Sequence, residues 1–96
     1  MQDPGDKAVK VRILGRVQGV WFRAWTVEEA SARGIRGWVR NRRDGSVEAL
    51  LVGMPSRVDE MIALCWRGPP HARVSEVVVE PAEDLAPPDF QTLPTR

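Results

Sequence analysis

The sequence predicts an α+β domain whose elements follow one another as β-α-β-β-α-β, and three observations carry that prediction. Apolar and polar residues alternate with a period of two in Val9-Lys10-Val11-Arg12-Ile13 and again in Val47-Glu48-Ala49, as in strands buried on one face. Residues 22–33 and 56–67 instead space their apolar positions three and four apart, which gives a helix one buried stripe. Asp44-Gly45 stands between two strand-like runs and reads as a hairpin turn.

Taken in order, residues 1–6, with Pro4 and Gly5 among polar neighbours, are expected as a disordered N-terminal tail, and residues 7–96 as the folded domain. The first strand starts at Lys7, buries Val9, Val11 and Ile13, and is ended by Gly15. A tight loop from Gly15 to Val20 leads into a helix over Phe22–Arg33. Phe22, either Trp25 or Thr26, and Ala30 share one side of it, and Gly34 provides a left-handed close. Ile35–Asn41 is the second strand. Arg42-Arg43-Asp44-Gly45 is read as a primed turn, because Asp-Gly accepts positive φ, and Ser46–Val52 as the third strand, stopped by Gly53. Ser56-Arg57-Val58-Asp59 has the form of a capping box. It opens a helix with Val58, Met61, Ile62 and Cys65 at core spacing, which Gly68-Pro69-Pro70 terminates. Arg73–Glu80 is the fourth strand. The segment 81–96 is proline-rich, and Phe90-Gln91-Thr92-Leu93 is its one candidate for a short edge strand. This order is the split β-α-β, or ferredoxin-like, arrangement: an antiparallel sheet with two helices on one face. Val9, Val11, Ile13, Val39, Val47, Ala49 and Leu51 then face the helices, while Arg12, Arg40 and Glu48 face water.

Composition narrows the function. The 96 residues are 43% hydrophobic and 28% charged with a formal net charge of +1, an ordinary globular balance without the basic field of a nucleic-acid binder. Cys65 is the single cysteine; it forms no internal disulfide and is expected as a small buried hydrophobe in a reducing compartment. The first residues lack a signal-peptide apolar region, and no apolar run nears the ~20 residues that span a bilayer. A monomeric cytoplasmic protein without membrane or nucleic-acid partners is the expectation. His71 is the only histidine, and no residue cluster suggests a metal or a cofactor.

Two segments hold polar chemistry. Gly15-Arg16-Val17-Gln18-Gly19-Val20-Trp21-Phe22-Arg23 links a strand end to a helix start, where unpaired N–H groups and the helix dipole favour an anion. Glycine lets several N–H groups converge into a nest, and Arg23 can grip phosphate oxygens bidentately. The same residues also fit a plain turn with a solvated arginine, and residue chemistry leaves both open. In the second segment, Gly37-Trp38-Val39-Arg40-Asn41-Arg42-Arg43-Asp44-Gly45-Ser46-Val47, Asn41 ends a strand on the core-facing parity. An asparagine serving the turn backbone is its simpler reading; in this topology it can also meet Arg23 at one sheet edge.

Together these segments, with Gly53 following at a fixed distance, closely resemble the two signature patterns of the acylphosphatase family, and the resemblance runs from about Lys7 to Glu80. It implies a cofactor-free, metal-independent hydrolase that splits a small-molecule acyl phosphate into a carboxylate and inorganic phosphate. The family's phosphate loop falls on Arg16, Val17, Gln18, Gly19, Val20, Trp21 and Phe22, and its catalytic pair on Arg23 and Asn41. On that reading Arg23 and the loop N–H groups hold the phosphoryl oxygens, Asn41 aims a water, and the substrate's own phosphate takes the proton. The departures are Trp21, a bulky residue at a variable position, and a tail richer in proline than the family's last strand.

Two other readings share the fold. RNA-recognition modules stack bases on aromatics of strands 1 and 3, and neither strand has an aromatic residue here. A catalytically vestigial acylphosphatase-like domain, kept for binding or regulation, would be expected to lose Arg23 or Asn41; both are present.

Overall fold

Alternation in the first segment becomes an interior strand of the sheet, flanked on both sides. The computed structural model describes residues 3–96, and its elements are β1 (Lys7–Arg16), α1 (Phe22–Ala32), β2 (Arg36–Asn41), β3 (Val47–Gly53), α2 (Pro55–Arg67), β4 (Arg73–Pro81) and β5 (Phe90–Thr92). Of the expected tail, Met1 and Gln2 lie outside the described residues; Asp6 N–H donates to Asp3 O at 2.9 Å and the Asp6 carboxylate pairs with Arg36.

The five strands lie in the order β4-β1-β3-β2-β5. Val9, Val11 and Ile13 sit opposite Leu51, Ala49 and Val47, so a single register places all six side chains on the helix side. All six are buried there with Val39 and with Phe22, Ala30, Val58, Met61 and Cys65 from the helices. In α1 the buried member of the Trp25/Thr26 pair is Thr26, whose hydroxyl donates to Phe22 O at 2.8 Å. The helix closes with Ile35 N–H on Ala30 O and Gly34 N–H on Ser31 O, the left-handed ending expected for Gly34.

Four expectations are corrected. The sheet is mixed, because β5 pairs parallel with β2. Helix α2 starts one residue early: Pro55 takes its first position and Met54 caps it without a side-chain hydrogen bond, so Ser56 lies inside the helix and the capping box is absent. Proline there costs nothing, since that N–H has no helical acceptor; Asp59 instead pairs with Lys7 at 2.6 Å. The hairpin is no two-residue primed turn. Gly45 N–H donates to Arg42 O at 3.1 Å and only Gly45 has positive φ, at 95°, the turn-plus-bulge form of a longer loop. Finally, the helix-free face is not simply wet. Leu50 and Val52 are fully buried on it, and the Arg40 and Glu48 side chains, paired at 2.8 Å, are each only 14% exposed. Because β4 and β5 occupy opposite edges, the 82–89 connection must cross the sheet, and the Lys10–Asp84 ion pair at 3.1 Å carries it over that face.

One glycine sets how β4 meets the loop. The β1–β4 register shifts between Leu14 and Gly15, and a Cβ on Gly15 would stand 2.2 Å from Arg73 O, with φ already at +119°. Backbone on backbone cannot yield as a flexible side chain can. Gly15→Ala should therefore lower the unfolding free energy by roughly 2 kcal/mol or more. Gly5→Ala, at a position with nothing within 4 Å, should stay within about 0.5 kcal/mol of the parent. Chemical denaturation of both variants checks the pair; equal stabilities would contradict the close approach.

Candidate active site

Beyond the β1–β4 bulge the chain has six residues in which to turn into α1, and it does so through left-handed backbone. Gly19 has φ of 73° and Trp21, which caps α1, has φ of 66°. Positive φ is ordinary for glycine and strained for a tryptophan. Trp21 has no core to fill, since it is 80% exposed. Left-handed residues in such a turn are the kind of backbone from which anion nests are built. Among the described residues, the N–H groups of Gly19, Val20 and Trp21 in the loop, and of Phe22, Arg23 and Ala24 in the first helical turn, have no protein acceptor.

Arg23 adds a charge to this cradle. It lies in the first turn of α1, where the dipole disfavours a cation, with no acidic residue in that turn. Among the described residues its guanidinium makes no ion pair or hydrogen bond. Valine anchors hold the loop from below: Val17, Val20 and Phe22 are buried.

The opposite wall comes from the end of β2. Asn41 pairs with Val47 across β2–β3, and its carbonyl accepts Arg96 N–H at 3.1 Å. These backbone bonds leave the side-chain amide free of protein partners among the described residues. A cleft of about 570 Å³ is lined by Val17, Gly19, Trp21, Phe22, Arg23, Ala24, Asn41 and Thr92. Six of the nine residues expected at the site thus share one cavity with the expected pair Arg23 and Asn41 among them. Arg16 and Val20 line a neighbouring pocket instead.

Gln18 lines neither. Its Nε2 donates to Arg42 O at 2.7 Å and to Ser46 O at 2.8 Å, using both amide hydrogens to tie the loop to the β2–β3 hairpin beside Asn41. The hairpin end is in turn fixed by Asp44, whose Oδ1 accepts the Ser46 hydroxyl at 2.6 Å and the Ser46 N–H at 2.9 Å. The Ser46 hydroxyl, then its N–H, hold the Asp44 carboxyl below its usual range. Two contributions were absent from the sequence reading: this Gln18 clamp and the Thr92 wall from β5.

Other reactive groups lie away from the cleft. Cys65 is a free thiol buried under α2, and burial pushes it up to about 12, so it offers no thiolate. Among the described residues no three His, Cys, Asp or Glu side chains gather as a metal ion would require.

Nearly the whole chain is similar to known proteins. The sequence profile of the Acylphosphatase family matches residues 9–92, reaching beyond Glu80 into β5. An acylphosphatase of Rhizorhabdus wittichii is 51% identical over 92 residues, covering 96% of this chain and 93% of the relative. The solved structure of an acylphosphatase from Coxiella burnetii superposes with a TM-score of 0.90 at 30% identity, covering 96% of this chain and 97% of that one. Full-length HypF, solved in its phosphate- and nucleotide-bound form, matches over 98% of this chain but only 13% of its own length, with a TM-score of 0.87 and 25% identity.

The clamp can be tested without any substrate. Gln18→Ala should cost about 1–2 kcal/mol of stability by removing two hydrogen bonds, although the Arg42 and Ser46 carbonyls keep their hairpin donors, Gly45 N–H and Arg42 N–H. Gln18→Glu, of equal size but facing those carbonyls with a carboxylate, should cost more. Amide hydrogen exchange at Arg42 and Ser46 should quicken in both variants; unchanged exchange would mean that the hairpin holds its shape without Gln18.

Proposed function

The chain belongs to the acylphosphatase family, whose members hydrolyse acyl phosphates, and on that premise we propose how its own residues carry the reaction. The N–H groups of the loop and of the first turn of α1, together with Arg23, bind the phosphoryl oxygens, and Asn41 holds the attacking water. The observation that carries this reading is an arginine without a partner at a helix N-terminus. Alone it is unfavourable there; with a phosphoryl group in the nest, charge, dipole and orphan donors are all satisfied together.

The chemistry then needs little more. Water oxygen bonds to phosphorus as the bond from phosphorus to the bridging oxygen breaks, and the electron pair of that bond leaves on the carboxylate. The water proton passes to a phosphoryl oxygen, giving inorganic phosphate. Charge on the equatorial oxygens is met by fixed donors, the main service a protein can offer a loose phosphoryl transition state. Asn41 is uncharged and is no base at neutral pH. Its amide orients the water along the line of attack. A carboxylate is a good leaving group, so the step proceeds without a strong base or a metal ion.

Several finer features belong to the same proposal. The substrate is a small acyl phosphate, the protein acts as a monomer in the cytoplasm, and it engages neither nucleic acid nor membrane. A lone buried cysteine supports the reducing compartment, and among the described residues no helix is long and apolar enough to cross a membrane.

Steady-state hydrolysis of benzoyl phosphate tests the assignment. Arg23→Lys keeps the charge and loses the planar fork, so it should lower kcat/KM by about two orders of magnitude or more and weaken competitive inhibition by inorganic phosphate. Asn41→Ala should lower kcat by a similar factor while phosphate inhibition stays near that of the parent. If Asn41→Ala retains kcat and loses only phosphate affinity, Asn41 binds the phosphoryl group and another group holds the water. EDTA dialysis should leave turnover unchanged; activity lost and restored by a divalent ion would overturn the metal-free route.

A further inference from the structure

We propose that the pocket on the far side of the loop is a second anion subsite, which selects acyl phosphates whose acyl group itself carries a negative charge. The inference rests on the hydrolase reading above and deepens it. This pocket, about 510 Å³, shares Gly19 and Trp21 with the catalytic cleft and is lined further by Arg16, His71 and Arg73. No carboxylate lines it.

Its charges are placed at a cost. Arg16 and Arg73 face each other directly in the β1–β4 ladder, and like charges directly opposite on antiparallel strands repel. Neither guanidinium has an ion pair or side-chain hydrogen bond among the described residues. Eight other cations, Lys7, Lys10, Arg12, Arg33, Arg36, Arg40, Arg42 and Arg57, have carboxylate partners. Arg23, Arg43, Arg67 and Arg96 have none among the described residues, but Arg16 and Arg73 are unpaired within one pocket. With a net charge of only +1, an unneutralised cluster is a local choice, not the overflow of a basic protein. The bulge at Gly15, pressed against the Arg73 carbonyl, fixes the two arginines at the root of the phosphate loop. His71, just before β4, adds a ring donor.

A phosphoryl group in the nest would leave its acyl chain to emerge past Trp21, which with Gly19 lines both cavities. A terminal carboxylate or phosphate on that chain would meet Arg16, Arg73 and His71, while a methyl or phenyl end would not. The pocket should therefore act on KM and leave the chemical step alone.

Two substrates separate the effects: succinyl phosphate, whose chain ends in a carboxylate, and acetyl phosphate, whose chain ends in a methyl group. In the double variant His71→Gln, Arg73→Gln, kcat/KM for succinyl phosphate should fall roughly fivefold or more, chiefly through KM, given the strength of two exposed charge contacts. Acetyl phosphate turnover and inhibition by inorganic phosphate should stay within about twofold of the parent. Arg73→Lys, with His71 kept, should retain most of the succinyl preference. Equal losses on both substrates would mean that the residues only support the loop, and no loss on either would mean that the pocket is idle; each overturns the subsite. A parent protein that hydrolyses neither substrate would overturn the hydrolase reading itself, and the subsite with it.

Discussion

One amide nitrogen joins the two halves of this site. Gln18 Nε2 spans from the loop after β1 to the Arg42 and Ser46 carbonyls at the β2–β3 hairpin. The loop that leads to Arg23 leaves β1, Asn41 ends β2, and these strands are not neighbours in the sheet, since β3 lies between them. The sheet register fixes where each strand ends, but a surface loop has no ladder to hold it. A side chain that donates two hydrogen bonds across the gap substitutes for that missing ladder. Strain at Trp21 is tolerable for the same reason, because a loop tied at Gln18 and anchored by buried Val17, Val20 and Phe22 has few other shapes to adopt.

The cleft is therefore tied at both walls. Backbone donors without protein acceptors, and an arginine against the helix dipole, are costs to the fold. In the proposed mechanism they serve a transition state whose charge spreads over several oxygens, since donors already in place need little reorganisation when that charge develops.

Much of this was legible from local chemistry. The period-two pattern around Val11 and the threefold-fourfold spacing in α2 depend on residues a few positions apart, and both elements are where those patterns place them. Around Gly19 and Arg23, residue chemistry offered an anion site and a plain turn alike, and only the family resemblance favoured the first. What escaped was set by distance in the sequence. Nothing near Gln18 indicates that its amide meets carbonyls 24 and 28 residues away. Leu50 and Val52 are buried on a face that strand parity alone would leave to water, and Thr92 reaches the cleft from β5, which joins β2 in parallel. The Ser56 capping box failed at short range, because Pro55 already satisfies the first helical position and leaves Ser56 inside the helix.

With β5 laid along β2, the long exposed edge of the sheet is β4, where Val78 is 38% and Val79 41% exposed. Such a valine-rich border invites another chain to add a strand. The residues around it work against that. If two copies met antiparallel about Val78, Glu76 of each would lie directly opposite Glu80 of the other, and like charges so placed repel. Pro81, at the end of β4, lacks the N–H that a further ladder would need. The border thus carries its own deterrent to pairing in that register, written symmetrically about its centre.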